Sequence, residues 1–487
     1  MIARLRGRSC AGSATRDGQV MGWSSEEIVL ATGGTLLRRG KRDRFGEVVT
    51  DSGKVKRGSV FVALKGERLD GHRFVRDAAR RGAGCVVIDR DLHRSEFGGA
   101  AAIKVRDTLT ALGDLAHYRR ETYGPKVLAI TGSNGKTTTK EMLAAILEEA
   151  SLEGMPLRGK VLKTEGNFNN LVGLPLTLLR LSKKHKAAVI ELGTNHPGEI
   201  DRLAEIADPD IGIVTSVAAA HLEGLNSLAG VAREKGALYR RIRPSGMIAV
   251  KRDDPWVRRL GDRFKGKKIT YGRGGDVRAE RWRPLGAKGT LLHLRAGRRQ
   301  ARIRLNFIGE HNVVNATAAA AMAYGFGVSL PAIRRGLEKA KPFRMRMQVD
   351  QWRNVGIIND AYNANPASMA AALKTLAGIE CRGERSAVLG DMFELGRHSG
   401  QQHLRLGRQV ARARLDRLYL LGAHAKQVRK GALGAGMRAD RIVIGKDHTD
   451  IASRLRSDLT KGDWLLVKGS RGMKMETVLD QLRSGRA

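Results

Sequence analysis

Cysteine is scarce in this chain. There are three in 487 residues, Cys10, Cys85 and Cys381, odd in number and far apart. They make neither a disulfide framework nor a metal-ligand spacing, and they fit a reducing compartment. Aromatics make up only 5%, so the stacking platforms of single-strand nucleic-acid binders are not signalled. No apolar run approaches the roughly 20 residues that cross a bilayer, so no membrane insertion is expected. Acidic residues are few beside basic ones, 49 against 88, which leaves a formal charge of +39. That excess raises nucleic acid as a partner. The basic residues are spread along the whole chain, however, with no helix–turn–helix or zinc-finger pattern among them. An arginine-rich surface that attracts small anionic substrates is expected, with no specific nucleic-acid partner.

At about 100–200 residues per domain, the length predicts about three domains. A hydrophobic content of 42% supplies a core for each. Residues 1–20 stand apart. They carry Arg4, Arg6, Arg8 and Arg16 against one acid, Asp17, without the apolar centre of a secretory signal. They are expected to be a disordered extension, or a stretch upstream of a true start at Met21. Three blocks follow, at 21–124, 125–342 and 343–487.

In the first block Ser24 or Ser25 caps a helix that opens through Glu26 and Glu27. Short strands at 59–64 and 85–88 alternate with helices such as 73–81. The second block opens after the Gly124-Pro125 turn signal. It repeats strand–loop–helix units with strands at 127–130, 187–191, 211–215 and 247–250. The third begins near 342–346 and repeats the pattern with strands at 386–389, 418–421, 442–444 and 465–467. These strands are continuous apolar runs, which suit parallel sheets covered on both faces. The expected class is α/β: a central parallel-sheet P-loop nucleotide-binding domain, a small N-terminal α/β domain and a C-terminal Rossmann-like α/β domain.

The segment Gly132-Ser133-Asn134-Gly135-Lys136-Thr137 lies between the strand at 127–130 and a helix that runs to about residue 149. Backbone N–H groups of such a loop, and the helix end behind it, point at bound anion. Lys136 can reach β/γ phosphates, and the Thr137 hydroxyl can ligate magnesium. The loop is not the full eight-residue Walker pattern, because Ile130 stands where its first glycine would be. Glu191 closes one neighbouring strand and His221 follows another. Strand carboxyl ends face the ligand crevice in doubly wound sheets, so these side chains are candidates to converge near the phosphates. The loop by itself specifies a nucleoside triphosphate and not its fate.

With further motifs, the sequence resembles the Mur ligases of peptidoglycan synthesis. The first group is Thr131–Thr138, Glu191-Leu192-Gly193-Thr194-Asn195-His196-Pro197-Gly198-Glu199, Ala220-His221-Leu222-Glu223 and Glu234-Lys235-Gly236. Later motifs narrow the resemblance: His311-Asn312-Val313-Val314-Asn315, Asp360-Ala361-Tyr362-Asn363-Ala364-Asn365-Pro366, Gly390–Gly396 and Lys468-Gly469-Ser470-Arg471-Gly472. These look like the MurF-type branch, which joins D-alanyl-D-alanine to UDP-N-acetylmuramoyl-tripeptide. The similarity covers nearly everything from Met21 onward.

The resemblance implies roles. Gly132, Ser133, Asn134, Gly135, Lys136, Thr137 and Thr138 would bind ATP, with Asn312, Arg346 and Asp360 holding adenine, phosphate and ribose. Lys136, Glu191, His221 and Lys235 would form the catalytic set. Thr137 and Glu191 would ligate one Mg²⁺, and His221 and Lys235 would serve a second. Carbamoylation of Lys235 is implied; it suits a metal that wants oxygen ligands. Asp51, Ser52 and Lys65 would bind the uridine nucleotide. Asn167, Asn169, Asn170, Asn195, Asn363 and Asn365 would contact sugar or peptide, and Ser470 and Arg471 the dipeptide. A cytoplasmic monomer is expected. There are departures from the family pattern. Gly53 stands where arginine is usual, Asn359 replaces a common Asp, and Phe343 and Met345 alter the segment around Arg346. The competing readings are a related ligase of the same fold, such as a diaminopimelate- or lysine-adding Mur ligase or a folylpolyglutamate synthase. Beyond these stand a nucleic-acid-binding protein and an ATP-binding regulatory module that has lost ligation.

Overall fold

The computed structural model describes residues 22–485. The expected extension at 1–20 lies outside them. The chain forms two compact units: one runs to Pro125 and adds Pro175–Lys186, and the other takes Lys126–Leu174 and everything from Ala187 onward.

In the first unit the helix Ser25–Thr32 is capped by Ser24. Its hydroxyl accepts from Glu27 N while the Glu27 carboxylate accepts from Ser24 N, a reciprocal capping box. Five strands lie in the order Thr35–Arg38, Ala101–Lys104, Cys85–Ile88, Val60–Val62, Val48–Val49. The first pair is antiparallel and the rest are parallel. Phe61, Val75, Val86, Ile88 and Phe97 fill the core on one side. The helix expected at 73–81 is a 3₁₀ turn, Gly71–Phe74, running into an α-helix at Val75–Arg80. Asp70 caps that turn by accepting from His72 N.

The second unit holds two sheets. The larger has nine strands, ordered Arg299–Leu305, Thr290–Ala296, Val277–Pro284, Lys267–Tyr271, Met247–Lys251, Ile211–Val214, Lys126–Thr131, Ala187–Glu191, Val161–Lys163. From Val277–Pro284 onward the pairing is parallel. The expected parallel sheet is thus extended by an antiparallel meander. Its strands alternate apolar residues with arginine, because only one face packs on the core, against the helix Glu310–Gly325. The smaller sheet has six strands: Gln348–Trp352, Val355–Asp360, Trp464–Lys468, Arg385–Leu389, Arg417–Leu420, Ile442–Ile444. It is parallel except for the first pair.

Candidate active site

The loop joining the strand Lys126–Thr131 to the helix Lys136–Glu148 is shaped by its glycines and by the strand end beside it. Gly132 has φ +147° and Gly135 φ +83°. A Cβ at Gly132 would lie 1.9 Å from Thr215 Oγ1, and one at Gly135 2.3 Å from Asn315 Oδ1. Glycine is required at both. Ser133 N donates to Ser216 O at 2.9 Å, and Thr215 Oγ1 donates to Asn134 O at 2.6 Å. The loop is thereby held with a helix N-terminus behind it, the arrangement that receives anions. Lys136 Nζ donates to Gly132 O at 2.7 Å. Burial pulls its ammonium below the ordinary lysine range, while Glu191 acts the other way.

Glu191 ends the adjacent parallel strand and is buried. Its Oε1 accepts from Thr137 Oγ1 at 3.2 Å and from Asn169 Nδ2 at 2.9 Å. Its Oε2 is buried without a hydrogen bond, 3.9 Å from Lys140 Nζ. Lys140 lies one turn beyond Lys136 and is fully buried, donating to Thr164 O at 2.7 Å and pairing with Glu141 at 3.0 Å. A hydroxyl and a carboxylate brought together beside a phosphate loop are the hard oxygen donors that magnesium prefers.

Lys235, on the helix Leu228–Arg241, is 1% exposed. Burial holds its ammonium well below the usual range, and Lys136 adds to the effect. Glu234 beside it is engaged elsewhere: it accepts from Gly198 N at 2.8 Å and Ile200 N at 2.7 Å, capping the helix Glu199–Ala207. His221 adopts a left-handed backbone, φ +55°. Its Nδ1 lies 2.5 Å from Glu394 Oε2, and this contact holds the Glu394 carboxyl below the ordinary range.

The six-stranded sheet supplies the opposite wall. Asp360 and Lys468 are register partners at the carboxyl ends of neighbouring parallel strands. Lys468 Nζ donates to Asp360 Oδ2 at 2.5 Å and to Asn363 O at 2.9 Å. The Arg346 guanidinium stacks 4.0 Å from the centre of the Tyr362 ring, between two left-handed methionines, Met345 and Met347. Asn365 caps the helix Pro366–Ala377, and its Nδ2 donates to Asn134 Oδ1 at 2.8 Å, touching the phosphate loop directly. Asn312 accepts from Asn315 Nδ2 at 3.0 Å. Phe393 N donates to Ser470 Oγ at 2.8 Å, and Arg471 pairs with Glu476 at 2.6 Å. A cleft of about 550 Å³ is lined by Ser133 through Thr138, His221, Asn312, Arg346, Asp360, Asn363, Asn365, Ser470 and Arg471.

Glu191 and Lys235 lie behind the cleft wall, Glu191 joined to it through Thr137. Asn167 and Asn195 are exposed. Asn170 uses its side-chain oxygen to accept from Gly173 N at 2.8 Å. Asp51, Ser52 and Lys65 belong to the first unit. There Asp51 accepts from Gly53 N, and the backbone of Lys65 pairs with that of Asp70 in an isolated antiparallel β-bridge. A Cβ at Gly53 would meet only Asp51 Oδ1, at 3.2 Å, so no backbone contact demands glycine there. Roles for Lys140, Asn315, His311 and Glu394 are absent from the sequence reading. Lys140 had a signal, its spacing of four from Lys136 on one helix face. Glu394 sits in a quoted motif but gains meaning only by meeting His221.

Comparison with known proteins agrees with this geometry. The chain matches the Mur ligase middle domain over residues 130–323, the glutamate ligase domain of Mur ligases over 344–471 and the Mur ligase family catalytic domain over 45–120. It is 37% identical over 444 residues to the UDP-N-acetylmuramoyl-tripeptide–D-alanyl-D-alanine ligase of Escherichia coli, covering 90% of this chain and 93% of that one. The chain belongs to the Mur ligase family. The Bacillus subtilis ligase of the same name is 35% identical to this Mur ligase over 438 residues, 89% of this chain and 92% of that one. Crystallised MurF from Acinetobacter baumannii superposes with a TM-score of 0.87 at 35% identity, covering 96% and 100% of the two chains. MurF from Thermotoga maritima in complex with ADP gives 0.79 at 28% identity, covering 90% and 96%. The three-domain α/β architecture of this Mur ligase is that of these structures.

Proposed function

We infer that this chain is the ATP-dependent ligase that joins D-alanyl-D-alanine to UDP-N-acetylmuramoyl-tripeptide, in cytoplasmic synthesis of peptidoglycan precursors. The observation that carries the reading is the cleft in which Lys136 and Thr137 of the phosphate loop face Arg346, Asp360 and Ser470. Likeness to the MurF-type ligases along nine-tenths of the chain supports it. In this reading residues 21–124 receive the uridine nucleotide through Asp51, Ser52 and Lys65, 125–342 bind ATP, and 343–487 bring the dipeptide. Every residue in the assignment comes from one chain, so one copy suffices.

A carboxylate is a poor acyl donor, and ATP converts it to an acyl phosphate. The peptide carboxylate attacks the γ phosphorus in line and ADP leaves, with Lys136 facing the growing charge. The amine of D-alanyl-D-alanine then attacks the activated carbonyl, and the tetrahedral adduct expels phosphate to leave an amide. Asn312 meets adenine, Asp360 accepts from ribose hydroxyls, and Arg346, held over the Tyr362 ring, faces phosphate. Asn167, Asn169, Asn170, Asn195, Asn363 and Asn365 contact sugar and peptide. Ser470 and Arg471 take the dipeptide carboxylate. Acyl phosphates hydrolyse, so closing the cleft protects the intermediate from water.

The donors fit magnesium: Thr137 Oγ1 and Glu191 Oε1 lie 3.2 Å apart beside the loop, and magnesium completes its shell with phosphate and water. It would supply positive charge to the β/γ oxygens. An ammonium at Lys235 does not fit as a ligand. A carbamate formed from its neutral amine and carbon dioxide does, since it replaces the cation with oxygen donors. The low proton affinity that burial gives this amine favours the neutral form that reaction needs.

Phosphate release from ATP is the test. Release is expected only when UDP-muramoyl-tripeptide and D-alanyl-D-alanine are both present, and it should vanish in Lys136→Ala with the melting temperature preserved. Stimulation by diaminopimelate, lysine or glutamate in place of the dipeptide would assign the chain to another ligase of the fold.

A further inference from the structure

The nine-stranded sheet ends in a meander outside the nucleotide cleft. One side of its strands carries Leu292, Leu294 and Ile303 into the core. The other side faces solvent, as the period of two requires. Strand pairing sets Arg283, Leu291 and Arg304 in one row and Arg281, His293 and Arg302 in the next. All four arginines are exposed. The carboxylate on this face, Glu280, is taken by Arg278 and Arg295. Among the described residues no carboxylate lies within ion-pair distance of Arg281, Arg283, Arg302 or Arg304. Strand spacing puts these four at the corners of a rectangle roughly 7 by 10 Å. That is about one Debye length in physiological salt, so their charges repel.

A sheet face that keeps four unpaired arginines together is stabilised when an anion joins it. Beside the rows lies a depression of about 430 Å³, lined by Arg283, Arg302 and Arg304 with Leu285, Leu291, Arg334 and Glu338. Glu338 is itself engaged by Arg334. Guanidinium forks match phosphate oxygens two at a time. The only aromatic ring in these rows is the half-buried imidazole of His293, and the larger indole of Trp282 lies on the opposite face in the row of Leu292 and Ile303. The face therefore lacks a Phe, Tyr or Trp platform on which successive bases stack. It also projects no helix into a groove. We propose that this meander docks on the phosphodiester headgroups of an anionic lipid bilayer. The contact is peripheral: no helix among the described residues is long and apolar enough to cross a membrane.

The whole protein is sedimented with phosphatidylcholine vesicles with and without phosphatidylglycerol. Two variants are compared. One is R281Q/R283Q/R302Q/R304Q. The other, R405Q/R408Q/K426Q/K430Q, removes the same charge from exposed helical positions elsewhere. Binding is expected only to the phosphatidylglycerol vesicles and to be released by salt. It should weaken at least about tenfold in the meander variant and little in the control, because each basic residue at the surface adds to the attraction. Phosphate release by the meander variant should match the parent. Absence of vesicle binding overturns the proposal, and so does equal weakening in both variants. Duplex DNA or RNA bound more tightly than vesicles, and lost in the meander variant alone, would reassign the face to nucleic acid.

Discussion

At the scale of single residues, the site is built from side chains whose surroundings contradict their ordinary charge. Lys235 is the clearest: a fully buried amine whose ammonium burial disfavours. Lys235→Ala is expected to lower phosphate release at least about tenfold, as loss of a group serving a metal does. Short carboxylic acids added to the assay should restore part of it by supplying the missing oxygens. Full activity without any addition would remove the carbamate role. The candidates that sequence alone supplied are those inside local motifs, where type and spacing carry the chemistry. Lys140 and Glu394 escaped because each meets a partner distant in the chain. Lys140 reaches Glu191, and Glu394 reaches His221 across 173 positions, the difference between 394 and 221. Lys235 was found only by resemblance, since a lysine on a helix has no sequence mark of its burial.

At the scale of elements, continuous apolar runs were a faithful guide. The strand expected at 127–130 is Lys126–Thr131, and the one at 187–191 is Ala187–Glu191. Such strands are covered on both faces, so their interior residues, 127–130 and 187–190, are apolar and polar residues mark the ends. The meander was not legible for the opposite reason. Arginines alternate with leucine and isoleucine there, and local composition reads as polar surface. The phosphate loop shows how strictly an element can be specified. Gly135→Ala would place a methyl on Asn315 and force an unfavourable φ, a strain of about 1–3 kcal/mol. We expect a normal circular-dichroism spectrum with ATP affinity at least about tenfold lower by calorimetry. Unchanged affinity would show that the loop tolerates the shift.

At the scale of the whole molecule, the alternation of strand and helix gave the α/β class and the three-part order, while the two-unit grouping of the chain emerged only in three dimensions. Acid should act on the first unit in two steps. Burial, with Lys184 and Arg180, depresses His185 to about 4. As pH falls through the ordinary 6.5, the unfolded chain takes up a proton that the folded one refuses, and stability is lost down to about pH 4. The backbone N–H of His72 holds Asp70 at about 2. Its contribution is complete above the ordinary 3.8 and is lost as pH falls towards 2. Melting curves from pH 7 to pH 3 should therefore slope less between 6.5 and 4 in His185→Gln; an identical slope would remove His185 as the cause.

The pairing of Asp360 with Lys468 has a consequence for assembly. The two are matched across neighbouring parallel strands, both at the carboxyl end, and both are largely hidden from water. A slip of one residue between these strands would part the charges and bury each alone, at a cost of several kcal/mol. Correct alignment of the sheet and creation of the carboxylate proposed for ribose are then a single event. On that assignment a misaligned chain would also lose its ribose contact, so turnover would double as an audit of folding.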